Sequence, residues 1–202
     1  MDAARQILSE RGLRALTLDE VARRSFFARS SIYVHFAGKP GLVEGLVVRC
    51  IEDLAVCADL FCSGSDSPSA RLHRALLGVG EILVRDDAVI TSATRLVAED
   101  PIFAARFWPS VAAMLDALAA RVVEDQIAGL ARTDLPARVA IDALVPVLTS
   151  LRPSSRLYKP RLPLRVSSAL IAKLSTNALY REPSVLESAP AVTRPTVSRR
   201  TP

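Results

Sequence analysis

The chain has 202 residues, of which 50% are hydrophobic and 23% charged, a balance that suits a folded chain with a real core and excludes one disordered throughout. The formal net charge of +5 is unevenly spread: residues 1–50 carry +3, residues 51–150 carry −6 and residues 151–202 carry +8. An acidic middle repels a polyanion, so contact with nucleic acid falls to a terminal segment.

Charge-free stretches reach only nine residues, as over 143–151, against the roughly twenty that a spanning helix needs. No apolar signal core follows Met1. A cytoplasmic protein without a membrane partner is the expectation. Cys50, Cys57 and Cys62 are an odd set without metal-ligand spacing and read as small buried hydrophobes; His35 and His73 form no zinc pattern. No metal or cofactor is expected.

The first predicted helix covers 3–11, with Ile7 and Leu8 inward and Gly12 as its stop. Thr17-Leu18-Asp19-Glu20 reads as a capping box that opens a second helix over 18–24, with Leu18, Val21 and Ala22 on one face. After a break at 25–27, a third helix runs over 28–36. Ala37-Gly38-Lys39-Pro40 ends it, and Pro40 suits the first turn of a fourth helix that continues to about residue 62. Residues 63–69 are the clearest loop in the chain. Further helices are predicted over 70–85, 88–99, 102–128, 137–151 and 164–180, the fourth of these kinked by Pro146. No segment alternates as a strand would. The domain division is 1–45, 46–182 and a basic, proline-rich tail over 183–202 that reads as disordered.

Two short helices with a tight break, the second carrying Ser30-Ser31-Ile32-Tyr33-Val34-His35-Phe36, have the helix-turn-helix layout. A helix laid in the major groove needs short polar or basic side chains on its early turns, and Arg29, Ser30 and Ser31 meet that need, arginine by forking onto a guanine edge. Arg23 and Arg24, at the end of the second helix, read as solvated. The run from Gly12 to Leu42 resembles the N-terminal domain of the TetR family of transcriptional regulators in order and spacing: Arg11-Gly12, Thr17, Val21-Ala22, Ile32-Tyr33, His35-Phe36, Lys39 and Leu42. The resemblance implies an all-α fold: a three-helix DNA-binding domain followed by a helical ligand-binding and dimerisation domain. It also assigns Thr17, Tyr33, His35 and Lys39 to the sugar-phosphate backbone, Lys39 acting with the positive N-terminus of the fourth helix.

Two positions depart from the family pattern. Phe26 stands where the turn usually has glycine, and Ala28 where a serine would cap the recognition helix. By the same resemblance the acidic region encloses a pocket for an apolar small-molecule effector, with Phe103, Phe107, Trp108 and Met114 as lining candidates, while plain core is the competing reading. Dimerisation is expected through the helices at 137–151 and 164–180, the latter with Val166, Leu170, Leu174 and Ala178 as a stripe. The expected function is a homodimeric regulator, a repressor on double-stranded DNA released by its effector. A sensor or interaction protein that keeps the fold with weakened DNA binding is the alternative. An enzyme is not expected: there is no Gly-x-Ser-x-Gly elbow, phosphate-cradling glycine loop or metal cluster.

Overall fold

A computed structural model describes residues 1–155 and 164–180, and every regular element among them is helical. The tail assigned to 183–202 lies outside the described residues. In chain order the elements are α1 (Asp2–Ala15), α2 (Leu18–Ser25), α3 (Arg29–His35), α4 (Gly38–Ser63), α5 (Pro68–Arg85), α6 (Asp87–Glu99), α7 (Pro101–Ile127), α8 (Ala137–Thr149) and α9 (Leu164–Leu179), with a 3-10 turn at Pro153–Ser155.

Local chemistry explains most of the boundaries. Gly12 interrupts α1 with φ 73°, a left-handed backbone that glycine adopts without penalty. Ser67 accepts the Ala70 N–H and Pro68 fills the first position of α5; Asp100 accepts the N–H groups of Ile102 and Phe103 at 2.9 and 3.0 Å ahead of α7. The helix α8 runs on through Pro146 to Thr149.

Two apolar clusters hold the molecule together. The first gathers Ile7, Leu8, Leu16, Val21, Ile32, Leu42 and Leu46 from α1 to α4, and it extends to Val89, Ala93 and Phe103 of α6 and α7. The N-terminal helices therefore share a core with the body, and α4 passes residue 45 without a break. The second cluster joins Phe61 and Leu72 to Val122, Ile141, Ala172 and Leu179.

Two charged networks accompany these cores. Arg71, buried, donates to both oxygens of buried Asp125 at 3.0 and 3.1 Å, and Tyr180 donates to the same carboxylate at 2.8 Å, tying α5, α7 and the end of α9. Burial foremost, then hydrogen bonding to Asp125, pushes the Tyr180 phenol well above its ordinary pKa. Near the N-terminal helices, Arg5 Nε lies 2.5 Å from Asp86 Oδ1, an ion contact without hydrogen-bond alignment, and Arg85 Nη2 reaches Asp86 at 2.6 Å and Asp53 at 2.5 Å.

By length and composition α7 is long and apolar enough to cross a membrane. Arg106 and Asp116 fall inside its apolar stretch, and Arg121, Glu124 and Asp125 end it. In the structure the first two are paired, Arg106 with Glu44 at 2.9 Å and Asp116 with Arg138, and α7 packs against α4, α6 and α8.

Candidate nucleic-acid interface

The site is built on α2, the turn after it, and α3. Thr17 caps α2, its hydroxyl accepting the Glu20 N–H at 3.2 Å, and Leu18, Val21 and Ala22 face inward. The capping box is half formed, because the Glu20 carboxylate turns to Arg11 at 3.0 Å and Arg23 at 2.7 Å instead of back to the cap. Arg24 is held by Glu10 at 2.7 Å. Arg23 is thus solvated as expected while also pairing within its own helix, and Arg24 is half-buried against Glu10.

Phe26 closes α2 with φ 59° and ψ 19°. The left-handed turn survives without its usual glycine, and the Phe26 ring projects into solvent at 96% exposure. Ala28 occupies the N-cap of α3 and offers no side-chain bond, as its methyl group dictates.

Of the seven residues of α3 only Ile32 is buried; Arg29, Ser30, Ser31, Tyr33, Val34 and His35 are exposed. A single anchoring residue leaves almost the whole circumference of this helix free to meet a partner. Arg29 Nε lies 2.6 Å from Asp19 Oδ1, its guanidinium carbon stands 5.4 Å from the Tyr33 ring centroid, and the Tyr33 hydroxyl donates to Asp19 at 3.3 Å. The hydrogen bond to Tyr33 and then the Asp19 charge raise the Arg29 pKa, so the guanidinium is a permanent cation. Ser30, Ser31, His35 and Lys39 have no side-chain partner among the described residues. Lys39 sits in the first turn of α4, whose cap Ala37 makes no side-chain bond.

The structure thus brings Arg29, Ser30, Ser31, Tyr33 and His35 together on one short exposed helix, with Thr17 and Lys39 opening the flanking helices. Sequence reasoning missed Asp19, which holds the arginine; a carboxylate in the first turn of α2 is fully explained by the helix dipole and so draws no attention. It also passed over Phe27, 66% exposed, and Val34, 82% exposed.

Behind this head an apolar cavity of about 370 Å³ lies among α4, α5, α6, α7 and α8. Phe107, Trp108 and Met114 line it. Phe103 does not: it is 6% exposed and packs in the first core, with its ring centroid 5.9 Å from that of Phe107. Cys50 and Cys57 also line the cavity, and burial, then the Asp86 charge, pushes the Cys50 thiol up to about 12. Thr94, Thr149 and Arg152 also line it, the last held by Asp87 at 3.0 Å. The sequence carried no separate signal for this lining: Ile51, Leu54, Cys57, Ala58 and Phe61 of α4 recur at helical spacing on one stripe, as plain core also would.

Residues 1–46 match the sequence model of bacterial regulatory proteins of the tetR family. No curated protein matches the chain in sequence. Solved structures match over most of their length. A TetR/AcrR-family transcriptional regulator from Thermobifida fusca superposes with a TM-score of 0.70 at 21% identity, covering 90% of this chain and 96% of that one. The ketosteroid transcriptional regulator KstR2 of Mycobacterium tuberculosis gives 0.64 at 21% identity, covering 90% and 93%. The fatty acid degradation regulator FadR of Bacillus halodurans gives 0.66 at 16% identity, covering 87% and 95%. The chain carries the N-terminal domain of the tetR family of bacterial regulatory proteins on a TetR-type all-α fold.

Proposed function

We propose that the protein is a homodimeric transcriptional repressor that binds operator DNA through α3 and is released by an apolar small molecule held in the cavity. The observation that carries this reading is α3 itself: a helix anchored by Ile32 alone that presents Arg29, Ser30, Ser31, Tyr33 and His35 outward. A helix so presented fits the major groove, where Arg29 can reach the two acceptors of guanine and the serines allow close approach. Thr17, Tyr33, His35 and Lys39 hold the phosphates and set register.

The second copy would pack against α8 and α9. On α9, Val166, Leu170 and Leu174 recur every four residues and are 42%, 46% and 68% exposed, with exposed Ala178 extending the stripe. Val139, Val145 and Val147 of α8 add exposed apolar surface. Two such helices from each copy make a four-helix interface, and pairing places two recognition helices about 34 to 36 Å apart, one turn of duplex. The effector is apolar because the cavity lining is. The names of two structural relatives, a ketosteroid regulator and a fatty acid degradation regulator, agree with that class. Ligand binding acts by favouring one of two spacings of the recognition helices, so no catalytic residue and no cofactor enter.

The alternative, a sensor with weakened DNA binding, is favoured by one observation: Arg29 is already engaged by Asp19 at 2.6 Å. A salt series on the protein's own promoter DNA separates the two. The regulator reading expects log Kobs to fall linearly with log salt, with a slope near −0.9 per phosphate contact. Lys39→Ala should lower that slope by about one, and Arg29→Ala with Tyr33→Ala should abolish preference for the promoter. A native chain that binds promoter DNA no more tightly than the double variant would leave the sensor reading in place.

A further inference from the structure

Three large apolar side chains stand in water beside the recognition helix. Phe26 is 96% exposed, Phe27 66% and Val34 82%. Phe26 also holds a left-handed backbone, φ 59°, which a β-carbon disfavours and glycine relieves. A residue that strains its own backbone and buries almost none of its ring gains nothing from this fold. Its compensation lies in something outside the chain.

Position says what that partner is. Phe26 and Phe27 fill the interval between α2 and the N-cap Ala28, immediately preceding Ala28 and Arg29, and Val34 lies four residues after Ser30, on the same strip of α3. Lys39 follows at the start of α4. Cationic and apolar side chains exposed together on one short segment complement a polyanion that also offers apolar groups. In the major groove that apolar group is the C5 methyl of thymine.

Resting on the DNA-binding reading above, we propose that Phe26, Phe27 and Val34 are specificity residues that pack on thymine methyl groups beside the base read by Arg29. Each half-site then carries thymines at fixed positions next to its guanine. Selection among random duplexes with the full chain, followed by replacement of thymine by deoxyuridine in the enriched duplex, tests this directly, since the exchange removes only the methyl group.

The expected result is a common thymine in the half-sites and a loss of about fourfold in affinity per contacted methyl on deoxyuridine DNA. Phe27→Ala and Val34→Ala should bind thymine DNA more weakly than the native chain and respond less to deoxyuridine. Phe26→Gly should raise Tm by about 2–4 °C while weakening binding, opposite signs that a purely structural residue does not give. Half-sites without a shared thymine, equal affinity for the deoxyuridine duplex, or Phe26→Gly binding as tightly as the native chain would overturn the proposal. Failure to enrich any duplex would remove the DNA-binding reading along with it.

Discussion

Asp19 sets the resting state of Arg29, the residue proposed to read a base. Its carboxylate lies 2.6 Å from Arg29 Nε and accepts the Tyr33 hydroxyl at 3.3 Å, so both side chains are ordered before any duplex arrives. Such an exposed pair is weak because water and salt screen it, and a phosphate or guanine edge can displace the carboxylate. The same carboxylate repels the approaching polyanion. Asp19→Asn keeps the shape and an acceptor for Tyr33 but removes the charge, and we expect it to bind promoter DNA about two- to fivefold more tightly at moderate salt, the gain shrinking as salt rises. Fluorescence anisotropy on a labelled duplex reads the change. Unaltered or weaker affinity would mean that the carboxylate positions Arg29 for the duplex instead of withholding it.

At the scale of the element, α3 is seven residues long and stands on little of its own. Its one buried residue is Ile32, and its N-cap Ala28 has the extended backbone of a cap, φ −60° and ψ 136°, without the oxygen a cap needs. Ala28→Ser supplies that oxygen to an early N–H of the helix and should stabilise the protein by about 1 kcal/mol, read as a rise of about 2–4 °C in Tm. No rise would show that the tertiary contact of Ile32 already saturates the order of this helix. These elements were legible in the sequence for the reasons that make them stable. Gly12, Ser67, Asp100 and the prolines at 40, 68 and 101 punctuate the chain by local chemistry, so predicted ends fall within a few residues of observed ones. Contacts between elements were not legible. Nothing local tells that Glu20 reaches Arg11 of α1, or that Phe103 turns into core while Phe107 faces the cavity. Aromatics three to five residues apart satisfy both arrangements equally in sequence, and only the packing around α7 decides.

Across the whole molecule, the head and the cavity share their supports. Val47, Cys50 and Ile51 of α4 and Val89, Ile90 and Ala93 of α6 line the cavity, and the same two helices are clasped by α1 through the ion network of Arg5, Asp53, Arg85 and Asp86. Asp86 is fully buried and Arg5 nearly so, 0% and 14% exposed as side chains. Burying a carboxylate there is costly unless cations face it, which makes α1 part of the packing of the body instead of a free appendage. In the proposed function this is the route by which filling the cavity shifts the recognition helix, since displacement of α6 or α4 moves the carboxylates that α1 follows. Arg5→Ala leaves Asp86 with Arg85 as its remaining guanidinium. The expected cost is roughly 2–3 kcal/mol, less than for a carboxylate stripped of every partner, with Arg5→Lys recovering part of it. Urea unfolding measures the loss as a lower midpoint at unchanged slope. Hydrogen exchange places it: faster exchange should appear in α1 and the start of α6 while the Arg71–Asp125–Tyr180 end of the molecule keeps its protection. Uniform acceleration through all helices would show that Arg5 supports the fold as a whole and does not act as a local clasp between the head and α6.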